Sequence, residues 1–150
     1  MKTIAIVLSA AAAVAVLHAP HAAAQFAKVE DAIKYRKASF TVVGNHMGRL
    51  SAMAKGERPF DAAAAQNSAK IIDAVARLPW EAFVPNSATG DTRLKPEALA
   101  NAADFKAAAD KMQAETAKLA AAAGSVETLR TQLGAVGASC KGCHDKFRKD

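Results

Sequence analysis

Residues 126–147 read VETLRTQLGAVGASCKGCHDKF. Val126, Leu129, Leu133, Val136, Cys140, Cys143 and Phe147 recur every three or four positions, the spacing of one helix face. Gly124 breaks whatever precedes this segment, and Ser125 can cap its start. Inside it lies Cys140-Lys141-Gly142-Cys143-His144. Cys-x-x-Cys-His is the pattern for covalent haem attachment: two thiols close thioether bonds to the porphyrin and the imidazole binds iron. Residues three and four apart share a helix face, so the two anchors and the ligand point the same way. Both cysteines fall on the apolar stripe, which places one haem c between helices and His144 at its iron.

Two other uses of the motif fit poorly. A thioredoxin-like redox pair needs strands around it, and no segment alternates as a strand does. Structural zinc needs four ligands, and beyond this motif residues 25–150 offer only His46 as a nitrogen or thiolate donor.

Three further helical segments are expected upstream. The first runs from about Lys28 to Lys55, with the stripe Val29, Ile33, Phe40, Val43, Met47, Leu50, and stops before Gly56 and Pro59. The second starts at the cap Asp61 and runs to Leu78, before Pro79, with Ala64, Ser68, Ile71, Val75 and Leu78 inward. A long connection, 79–95, carries Trp80 and Phe83. The third runs from Pro96 to Ala123, with Ala98, Ala102, Phe105, Ala109, Met112, Thr116 and Leu119 inward. Alanine richness and only 5% aromatic residues agree with an all-α fold. Four helices with one long link give an antiparallel four-helix bundle, whose cofactor sites form between facing helices.

The N-terminus has the grammar of a secretory signal peptide. Lys2 precedes an uncharged apolar run from Ile4 to Leu17, and Ala22-Ala23-Ala24 offers a small-residue cleavage site. That run is short of the roughly 20 residues that span a bilayer, and no later stretch qualifies. The expectation is a leader at 1–24, one domain at 25–150, and a periplasmic address in a Gram-negative source. Removing Lys2 from the 20 Lys and Arg leaves a surplus of five over the 14 Asp and Glu. This suits an acidic redox partner protein, still unknown. The charges are scattered and not interleaved with aromatics, which argues against nucleic acid.

Arg36 interrupts the first apolar stripe. A charge on a buried face needs a partner, and either an anion such as a haem propionate or the bundle rim would satisfy it. Long loops in compact domains are often functional, so Trp80 and Phe83, with Phe105 from the third helix, are candidate pocket walls. The group opposite His144 must come from upstream, and His46, Met47, Met53 and Met112 are the possible strong ligands. Phe40 lies mid-stripe, roughly 10 Å along the axis from Met47. It would leave the sixth position open beneath an apolar lid that admits small diatomics such as NO and CO.

The chain resembles the cytochromes c′ over its whole mature length. The resemblance is carried by Gln25-Phe26-Ala27-Lys28, Lys34-Tyr35-Arg36, Leu78-Pro79-Trp80 and Gly137-Ala138-Ser139-Cys140-Lys141-Gly142-Cys143-His144-Asp145. It implies that His144 is the proximal ligand, Cys140 and Cys143 the thioether anchors, Arg36 a propionate contact and Arg148 a basic residue beside the proximal imidazole. Low-spin relatives carry a ligating methionine four residues after the equivalent of Arg36. Here that position is Phe40, which implies a five-coordinate, high-spin iron. The family resemblance further implies a homodimer paired through the first two helices. The expected protein binds NO and CO and can exchange electrons, without enzymatic activity. The rival is a six-coordinate electron carrier using Met47 or His46.

Overall fold

The computed structural model describes residues 25–150, so the expected leader at 1–24 lies outside the described residues. The helices are α1 (Val29–Lys55), α2 (Ala62–Val75), α3 (Glu97–Ala100), α4 (Ala102–Ala122) and α5 (Val126–Phe147), with a 3₁₀ turn at Pro79–Ala82. Helix α1 packs on α2 and α5, and α4 packs on α2 and α5, which closes the four long helices into an antiparallel bundle. No named strand occurs among the described residues.

Local chemistry explains the boundaries. Gly56, at φ 78°, ends α1 in the left-handed region, and Glu57 N–H returns to the Ala52 carbonyl. The Asp61 side chain accepts the Ala64 N–H and starts α2, and Ser125 accepts from Thr128 to start α5. The Arg130 guanidinium on α5 donates twice to the Ala54 carbonyl near the end of α1, so those two helices run antiparallel.

Two expectations are corrected. Helix α2 stops at Val75 and not at Leu78, because Pro79 has no N–H for the Val75 carbonyl, which takes the Leu78 N–H at 3.1 Å instead. Its buried face is Ala65, Ser68, Ala69, Ile72 and Ala76, while Ala64 is exposed, Ile71 and Val75 are half-buried and Leu78 is 43% exposed. The third expected helix is two, broken at Asn101 (φ −106°, ψ 59°), and Ala102 is exposed.

The core divides into two apolar clusters. The larger joins all four long helices through Leu50, Ile72, Leu119, Leu129 and Val136, each below 2% exposure. The smaller gathers Ala88, Leu94, Ala98 and Phe147 at the C-terminal end of α5. There the tail is pinned: Leu94 and Arg148 form an antiparallel bridge, flanked by Lys95 N–H to the Phe147 carbonyl and Lys149 N–H to the Arg93 carbonyl, at 2.9 and 2.8 Å.

Candidate haem site

Helix α5 brings Cys140, Cys143 and His144 to one face. Both cysteines are half-buried and not paired with each other in a disulfide, and Ser139 takes the more deeply buried position beside them. Cys140 packs against the larger cluster, along with Phe40, Met47 and Trp80. Cys143 packs against the smaller one, along with Phe83 and Phe105. The motif therefore straddles the seam between two apolar clusters. A flat apolar group fastened at both positions would lie along that seam, so the residues present fit haem. Among the described residues no cluster of three or more His, Cys, Asp or Glu could hold a bare metal ion, which disfavours the zinc reading.

Electrostatics suit the motif's roles. Burial pushes both thiols above their ordinary pKa, with the Cys140 charge adding to the effect at Cys143. The His144 imidazole is pushed down, first by desolvation, then by the cations Arg148 and Arg93, with Asp145 opposing. Arg148 Nη1 lies 3.4 Å from His144 Nδ1. The ring is held neutral, which is the form that ligates metal. Arg93 escaped the sequence reading, since its proximity to His144 follows from the Leu94–Arg148 bridge and not from spacing.

Arg36 is 3% exposed and does not snorkel. Its Nη1 donates to the Ala82 carbonyl at 2.9 Å and the Ser87 hydroxyl at 2.7 Å, and its Nη2 donates to the Ser87 carbonyl and, at 2.8 Å, to the Thr92 hydroxyl. Four neutral acceptors take the terminal N–H groups. The need for a partner was legible, but Ser87 and Thr92 were hidden in a loop with no periodicity.

The expected pocket walls do come together. Phe40 meets Trp80 edge-on at 5.7 Å, Trp80 stacks on Phe83 at 5.8 Å, Phe83 touches Phe105 at 4.7 Å, and Phe105 meets Phe147 at 5.2 Å. Trp80 Nε1 donates to the Ala76 carbonyl at 2.7 Å, which fixes the indole.

The candidate axial ligands scatter. Met112 is 4% exposed and belongs to the core. Met53 lines a groove of about 750 Å³ with Phe60, Ser125 and Arg130. That groove is distant from the motif: Arg130 precedes His144 by fourteen residues, roughly 21 Å of helix. Met47 is half-buried beside the larger cluster, and the half-buried His46 has an Nδ1 without a hydrogen-bond partner.

Comparison with known proteins follows the same lines. The family described as Cytochrome C′ matches residues 31–148. A cytochrome c′ of Alcaligenes xylosoxydans xylosoxydans is 44% identical over 127 residues, covering 83% of this chain and 98% of that protein. The crystal structure of cytochrome c′ from Rubrivivax gelatinosus superposes with a TM-score of 0.80 at 44% identity, over 83% of this chain and all of that one. The nitric oxide complex of a leucine-to-alanine mutant of the Alcaligenes xylosoxidans protein superposes at 0.79 with 41% identity, over 84% and 99% of the two chains. A carbon monoxide-bound glycine variant of that protein gives the same score and identity, over 84% of this chain and 100% of that one.

Proposed function

The chain belongs to the cytochrome c′ family, and on that premise we propose that it is a periplasmic protein carrying one covalent haem c, with a five-coordinate, high-spin iron that binds NO and CO and exchanges electrons. The observation that carries this reading is Phe40. It is half-buried, packs against the same cluster as Cys140, and brings no donor atom. Haem supplies an open coordination position and a one-electron redox change.

The chain's own residues do the rest. Cys140 and Cys143 anchor and His144 ligates as a neutral imidazole, a form favoured by desolvation and then by Arg148 and Arg93. Phe40, Trp80, Phe83 and Phe105 exclude water and hydrated anions while admitting small uncharged diatomics. Those rings offer no acid or base, so the pocket binds and does not catalyse. The NO and CO complexes of the Alcaligenes relative support these ligands. Val42 on α1 and Leu78 just past α2, 40% and 43% exposed, leave apolar surface that suits a homodimer paired through these two helices.

A visible and resonance Raman spectrum of the ferrous protein tests the reading. High-spin, five-coordinate bands are expected, converting on CO addition. A strong low-spin α band without added ligand would move the assignment to Met47 or His46 and a plain electron carrier.

A further inference from the structure

Phe40 has its Cα fixed by α1, but its half-buried ring must be held by its neighbours. One neighbour is Trp80, whose indole is tied at Nε1 to Ala76 and stacked on Phe83 with 20° between planes. Phe83 in turn lies beneath the Arg36 guanidinium, whose carbon is 4.8 Å from the ring centroid. Arg36 stands one helical turn before Phe40 on the same helix. The contacts therefore close a circuit: Arg36, Phe83, Trp80, Phe40, and back along α1.

The same guanidinium grips the connection after α2 at Ala82, Ser87 and Thr92. Asn86, at φ 64°, and Gly90, at φ 80°, turn that connection so that its acceptors converge. Three points of a loop and one ring are thus fixed by a single side chain. A lysine could keep the charge but not the two-pronged geometry, because its ammonium is one point and not a planar fork.

We propose that Arg36 is the positioning residue for the distal lid, acting through Phe83 and Trp80 on the Phe40 ring and so setting how readily a diatomic ligand reaches the iron. This rests on Phe40 being the lid. An ion-pair role toward haem would make Arg36 matter by its charge; the circuit makes it matter by its shape.

The experiment compares Arg36→Lys, Arg36→Gln, Phe83→Leu and Phe40→Ala with the parent holoprotein. It measures CO association to the ferrous form, the reduction potential and the near-ultraviolet circular dichroism of Trp80, the only tryptophan. Arg36→Lys and Phe83→Leu should each speed CO association by a factor of about 2 to 10, the kinetic worth of one aromatic contact. Both should alter the Trp80 band, and Arg36→Lys should leave the potential at the parent value. Arg36→Gln should speed binding equally and also shift the potential. Parent-like CO rates and Trp80 bands in Arg36→Lys and Phe83→Leu, with Phe40→Ala fast, overturn the circuit and leave the lid standing. A parent-like rate in Phe40→Ala overturns the lid itself.

Discussion

The Phe40 ring meets the Trp80 indole edge-on, with centroids 5.7 Å apart and planes at 80°. That pair occupies the α1 side of the seam to which Cys140 belongs, so a donor atom at position 40 would enter the same space. Phe40→Met should convert the ferrous spectrum to a six-coordinate, low-spin form and slow CO binding, because a thioether is a haem ligand and a phenyl ring is not. An unchanged high-spin spectrum would show that position 40 does not face the iron.

Covalent attachment is shared between two thiols. In Cys140→Ala or Cys143→Ala alone, acid–acetone extraction should leave coloured protein, held by the remaining bond. In the double variant the extracted protein should be colourless. Colour surviving in the double variant would mean attachment elsewhere.

Met112 is packed in the larger apolar cluster. With 4% exposure beside Leu119, it should cost about 2–5 kcal/mol of stability when changed to alanine, measured by denaturant unfolding. The ferrous spectrum of that variant should stay that of the parent.

Acid should loosen the contact between α4 and α5. The Lys118 ammonium, and then the Gln132 amide, hold the Glu115 carboxyl below its ordinary value of 4.5. The unfolded chain takes up that proton more readily, so the stability it contributes is complete above about pH 5 and fades as pH falls through the folded value. The difference in melting temperature between Glu115→Gln and the parent should therefore shrink from pH 7 toward pH 3. A constant difference would assign Glu115 no linked proton.

What was legible in the sequence tracks how distinctive each residue is. Helix α5 sets its large apolar residues three and four apart among small and polar ones, so its face, its cap at Ser125 and its haem motif could all be placed. Helix α2 has alanine at six of its fourteen positions, a residue that fits buried or exposed sites alike, and most of the inward face was read one residue early. The end of α2 was misread because Pro79 acts four residues upstream, through the N–H it lacks, as well as on its immediate neighbour. Arg36 announced a buried partner without revealing which. Its acceptors are 46 to 56 residues away in a segment without period, and only folding brings them together.

The bridge between Leu94 and Arg148 joins residues 54 apart, so the segment after α5 and the connection after α2 hold each other. That closure spans a long loop and forms only when both segments are in place. Parting the two segments would uncover Leu94 and Phe147, and with them the apolar floor on which Cys143 rests.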